Sequence, residues 1–172
     1  LVSVEEHFLV QNNPVLETLE GFNGLESLQL LEIRENPLMK RLNAFDALTV
    51  VQNLIVENHD IMEELSGFSA LEEVDGEFVV GGIRAMPVLT AFQNLKNVGE
   101  NFFIVRNDLL VNMECFLNLK TVGGLIFVTE NILPDLKGLD NLESIGGDLI
   151  LSWSPELATL EGLDSLVAVG GS

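Results

Sequence analysis

The chain has 172 residues, 47% of them hydrophobic, and its 27 acidic against 8 basic side chains leave a formal charge of −19. Such a charge repels phosphate backbones and anionic bilayers, which argues against nucleic acid and membrane-surface partners, and charged or polar residues interrupt every apolar run well before the roughly 18 residues that a membrane-spanning helix needs. The single cysteine, Cys115, excludes an internal disulfide.

From the N-terminus onward the chain repeats. Apolar anchors stand at Phe22, Phe45, Phe68, Phe92, Phe116, Leu139 and Leu163, at intervals of 23 or 24 residues. Each follows a second apolar residue three positions earlier: Leu19, Leu42, Leu65, Leu89, Met113, Leu136 and Leu160. Reading back fourteen residues from each anchor gives an apolar pair at strand spacing: Phe8/Val10, Leu31/Ile33, Leu54/Val56, Phe78/Val80, Phe102/Ile104, Leu125/Phe127 and Leu149/Leu151. An arc of apolar residues spaced by three follows each strand, as in Leu157, Leu160, Leu163, Leu166 and Val169. Glycine pairs at Gly123-Gly124, Gly146-Gly147 and Gly170-Gly171 then permit a corner.

A unit this short buries its apolar side only by stacking on its equivalents. The expected fold is therefore mainly β, a right-handed parallel β-helix or leucine-rich-repeat-like solenoid of seven coils forming one domain over 1–172. "LVSV" at Leu1–Val4 matches "LVAV" at Leu166–Val169, so the chain starts and stops at one point of the cycle, and a slice of a longer protein is expected. Cys115 occupies the slot before the anchor held elsewhere by Gly21, Ala44, Gly67, Ala91 and Gly138, and it reads as a small residue at a tight corner. After each strand a fixed offset holds Asn13, Asn36, His59, Ile83, Asn107, Glu130 and Ser154, an incomplete version of the asparagine column of ordinary leucine-rich repeats.

The segments "AFQNLKNVGENFFIV" (91–105), "CFLNLKTVGGLIFV" (115–128) and "GLDNLESIGGDLIL" (138–151) run from a leucine-bearing arc through a Val/Ile-Gly corner into an apolar strand. In this they resemble the receptor L-domain repeat. The match spans the chain and is weakest at "ESLQLLEI" (26–33) and "LTVVQNLIV" (48–56), where corner glycines are replaced. The resemblance implies a solenoid from an extracellular or cell-surface protein. Animal L domains carry disulfides and cysteine-rich neighbours, so the disulfide-free surface proteins of microbes are the nearer comparison. In L domains a sheet face commonly contacts ligand, and by resemblance the same is expected here.

Side chains alternate along a strand, which places the residues between the inward pairs outside: Leu9, Glu32, Ile55, Val79, Phe103, Ile126 and Ile150. The next outward column adds Val105 and Val128. With neighbouring strands about 4.8 Å apart, the strip is roughly 30 Å long, and apolar patches of that extent accompany association or ligand binding. The candidate ligand-binding residues are Leu9, Ile55, Val79, Phe103, Val105, Ile126, Val128 and Ile150.

No nucleophile, base and orienting group share a register, and no catalytic residue is expected. His7 and His59 lie in different coils without cysteine company and read as exposed or loop histidines, so neither metal nor cofactor is expected. The reading is a non-catalytic recognition or adhesion module for a protein, peptide or glycan, or one that self-associates through the apolar strip. Its alternatives are a surface spacer without a ligand and, further off, a polysaccharide-active β-helix enzyme.

Overall fold

The computed structural model describes residue 4 and residues 6–171. The expected match of Leu1–Val4 to the last coil therefore lies largely outside the described residues. The chain winds into a parallel β-solenoid of about seven turns, with no α-helix among the described residues. Its main face consists of β1 (His7–Gln11), β3 (Ser27–Arg34), β5 (Val50–Glu57), β8 (Phe78–Gly81), β10 (Phe102–Asn107), β12 (Ile126–Asn131) and β14 (Leu149–Ser152). Every neighbouring pair is parallel and in register. Sequential parallel strands need a crossover, and here the remainder of each coil supplies it.

The perimeter differs between coils. In the first three, β2 (Thr18–Gly21), β4 (Arg41–Ala44) and β6 (Glu64–Gly67) form a second, three-stranded sheet. From the fourth coil on, a two-residue strand precedes the main one: β7 (Glu73–Val74), β9 (Asn97–Val98), β11 (Thr121–Val122), β13 (Ser144–Ile145) and, at the end, β15 (Ala168–Val169). The eight-residue β5 is the fork. Its Val50–Val51 end pairs with β7, and Leu54–Glu57 pairs with β8.

The corner between the two arms depends on glycine. A Cβ on Gly123 would fall 2.0 Å from the Gly99 carbonyl oxygen, and one on Gly146 would meet the Gly123 oxygen at 2.0 Å. Only a bare Cα allows successive corners to stack that closely.

The core is one continuous column. Phe22, Phe45, Phe68, Phe92 and Phe116 stack ring on ring with centroids 5.0 to 6.0 Å apart, within the range where aromatic pairs attract beyond their buried area. Phe78 and Phe102 form a parallel pair at 5.1 Å whose rings meet Phe116 edge-on. Leu139 continues the anchor column and is fully buried.

A polar column runs beside the apolar one. Asn36 accepts from the Asn13 N–H (3.0 Å) and donates through Nδ2 to the Val10 carbonyl (3.0 Å). Asn107 repeats the pattern with the Ile83 N–H and the Val80 carbonyl, and Asn131 repeats it with the Asn107 N–H and the Ile104 carbonyl. These side chains satisfy backbone groups that the turn after each strand would otherwise leave unpaired in the core. The sixth member is Asn131, not Glu130 as the sequence register had it. The column is thus more complete than expected, with Ile83 as its one apolar member among the described residues.

His59 belongs to this column too. It is fully buried rather than exposed, with Nδ1 3.2 Å from the Asn36 carbonyl and Nε2 3.1 Å from that of Ile33. Burial pushes its pKa below the usual imidazole value, against smaller opposing effects from those two carbonyls and from Glu35 and Asp60. Cys115 is buried in a short 3-10 turn, Glu114–Phe116, and desolvation raises its thiol far above the reactive range.

Each coil leaves its main strand through one left-handed residue. Asn12, Glu35, Asn58, Gly82, Arg106, Glu130 and Trp153 all have φ between 50° and 63° and form a ridge down the molecule. Backbone geometry, not side-chain type, is what these positions share.

Candidate functional site

The outward column of the main face is a complete in-register row: Leu9, Glu32, Ile55, Val79, Phe103, Phe127 and Ile150. Beside it runs Gln11, Arg34, Glu57, Gly81, Val105, Thr129 and Ser152. The face divides by chemistry. Arg34 pairs with Glu32 and, at 3.9 Å, with Glu57. Beyond this charged group the row is apolar from Ile55 to Ile150.

Phe103 and Phe127 meet edge to face with centroids 6.2 Å apart. Gly81 leaves a gap in the second column, and Val105 leans into it: a Cβ on Gly81 would come within 2.7 Å of Val105 Cγ2. The same face carries an open depression of about 360 Å³ floored by Ile55, Val79, Phe103, Val105 and Phe127. Arg34, Glu57, Glu77, Arg106 and Glu130 also line it.

Six of the eight candidate residues lie on this outward face, and four of them, Ile55, Val79, Phe103 and Val105, line the depression. Ile150 extends the row beside Phe127. Leu9 is 51% exposed but stands apart, separated from the rest by Glu32.

Ile126 and Val128 are corrections. They are 0% and 1% exposed and belong to the core, and Phe127 takes the outward place. Ile126 precedes its anchor Leu139 by thirteen residues where the other strands precede theirs by fourteen, so counting back from the anchor shifts the register by one. The shortened segment lies between Asn131 and Leu139. Asn107 and Asn131 are register partners, yet Phe116 follows Asn107 by nine residues and Leu139 follows Asn131 by eight. A one-residue slip on a strand exchanges its two faces.

The second arm offers a different surface. Glu73, Asn97, Thr121, Ser144 and exposed glycines including Gly99, Gly123 and Gly146 line a shallow trough of about 770 Å³. Its side chains partly satisfy one another, as where the Thr121 hydroxyl donates to Asn97 Oδ1 at 2.8 Å. Among the described residues no group of three or more His, Cys, Asp or Glu side chains gathers as a metal site, and no helix is long and apolar enough to cross a membrane.

No family model, no curated protein and no solved structure matches the chain.

Proposed function

We propose that the protein is a non-catalytic recognition or adhesion module whose contact surface is the apolar row from Ile55 to Ile150. The observation that carries this reading is the contiguity of the row. Five coils in succession place an apolar side chain outward on one face, where solvent favours polar ones. The five side chains are half-buried, and a contiguous, partly exposed apolar row of this kind is uncommon on a monomer without a partner.

The receptor L-domain resemblance supports the same face and an extracellular or cell-surface location. The buried asparagine column brings the turns nearer to leucine-rich repeats than the sequence register had suggested. The charge of −19 favours protein, peptide or glycan partners over nucleic acid.

The test is capture of immobilised peptides, glycans and matrix proteins by the chain and by Phe103→Lys and Phe127→Lys, with association state followed by sedimentation. Loss of capture, or of self-association, at unchanged thermal stability is expected. If both variants behaved as the parent chain in capture and in association, the assignment of this face would be withdrawn.

A further inference from the structure

The ridge ends on an unusual residue. Trp153 is the only tryptophan of the chain. It sits in the left-handed region at φ 50° and is 82% exposed. Beside its ring lies an open crevice of about 600 Å³ to which three coils contribute: Asp108 from the fifth, Glu130 and Ile132 from the sixth, and Trp153 and Pro155 from the seventh.

The remaining polar lining is already engaged. Asn131 donates to the Ile104 and Thr129 carbonyls and accepts from the Asn107 N–H, and the Ser154 hydroxyl donates to the Ser152 carbonyl at 3.3 Å. Two carboxylates are left. Asp108 shares Arg84 with Asp60, at 3.7 and 3.6 Å across an exposed site, and the Glu130 side chain has no hydrogen bond or ion pair among the described residues. The crevice thus combines an indole face, aliphatic walls and, among the described residues, one unpaired carboxylate, that of Glu130, and the one unpaired side-chain donor of its lining is the indole N–H of Trp153 itself. A sugar ring presents hydroxyls that need both donors and acceptors. An organic cation needs an aromatic face and acceptors alone.

We propose that this crevice binds an organic cation, a guanidinium or an alkylated ammonium, with its apolar part against Trp153, Ile132 and Pro155 and its charge toward Glu130. The surrounding charge of −19 concentrates such ligands near the surface. Glu130 also lines the depression on the main face, so a peptide carrying the cation could continue onto the apolar row. The inference stands independently of what that row binds.

The chain has no tyrosine and one tryptophan, so its indole emission reports on this ring alone. The full chain is titrated with N-acetyl-arginine amide, with tetramethylammonium and with methyl glucoside. Saturable change with one or both cations, at dissociation constants on the order of millimolar, and none with the glucoside is expected. The cation that saturates at lower concentration identifies guanidinium or quaternary ammonium as the preferred source.

Glu130→Gln is expected to weaken cation binding about fivefold. Glu143→Gln, in the acidic exterior away from the crevice, is expected to leave it unchanged. Trp153→Ala, followed by calorimetry, is expected to abolish it. A response to the glucoside equal to that of the cations, equal weakening by Glu130→Gln and Glu143→Gln, or no saturable response to either cation would overturn the proposal.

Discussion

Coils two and three and coils four to seven solve one packing problem in two ways. In the earlier pair the chain runs straight through eight residues of β3 or β5, and the far side of the coil is itself a strand. In the later group a glycine corner divides that path into two short strands. The far side is then irregular, with the Val88–Asn112 bridge and the 3-10 turn as local pairing. Nine residues take the chain from Phe45 to Leu54, and ten take it from Phe68 to Phe78. The added residue is the corner. Repetition therefore specifies which side chains enter the core and which strands pair, whereas the path around the perimeter responds to single insertions.

The anchor positions divide further along the chain, after the fourth coil. Phe22, Phe45, Phe68 and Phe92 take left-handed conformations with φ from 52° to 69°, which are costly for bulky side chains. In the last two coils the preceding Gly138 and Gly162 take the positive φ instead, and Leu139 and Leu163 are relieved of it. Burial between stacked rings compensates the aromatic residues for this strain. Positive-φ glycines also precede Phe22 and Phe68, so the anchor's own φ, not the glycine before it, separates the first four coils from the leucine ones.

The contrast can be broken most directly at its aromatic side. Phe68→Ala removes the ring between Phe45 and Phe92 and is expected to cost about 4 kcal/mol in urea unfolding. A cost below that of Leu139→Ala would refute the importance of the stack. Gly123→Ala places a methyl against the Gly99 carbonyl and is expected to cost about 3 kcal/mol. Gly21→Ala in the first coil has open space around the new methyl and only its φ of 95° to oppose it, for a cost of about 1 kcal/mol. Equal losses at the two glycines would mean that close stacking is not what distinguishes the corner.

Asn131→Ala leaves the Asn107 N–H and the Ile104 carbonyl without their partner in the interior and is expected to cost about 2 kcal/mol. The smallest effect at neutral pH falls on His59. A neutral ring has one N–H for two facing carbonyls, and its folded pKa lies below the unfolded value. The stabilising contribution is therefore present above about pH 6.5 and is lost as the pH falls through the folded pKa. His59→Asn, which restores the residue type of the column, is expected to flatten this part of the stability profile. A profile unchanged between the two proteins would assign the acid sensitivity to the carboxylates.

Most of the fold was legible because core columns require the same side-chain class once per turn, and six of the seven strand pairs followed from counting back from the anchors. Strand six was not, because its coil is shortened after the strand instead of at the corner, and an anchor cannot register a deletion on its own side. Asn107 and Asn131 carried the needed signal: aligned on asparagine, Ile126 and Val128 fall inward and Phe127 outward. The fork at β5 was hidden as well, since pairing with two strands on one side leaves no mark on its alternation of apolar residues. Trp153 went unnoticed for a different reason. Its ridge is defined by a dihedral angle, and Asn, Glu, Gly, Arg and Trp share no side-chain property by which the column could be found.

That ridge makes identity and position separable. Since the turn is dictated by the main chain, the exposed teeth can be exchanged for other side chains that tolerate the left-handed region while the scaffold keeps its pitch, whereas the buried Gly82 has no room for a Cβ beside Asn58. The molecule thus carries a ruled edge on which new recognition chemistry can be written one mark at a time, without reopening the interior that holds the ruler straight.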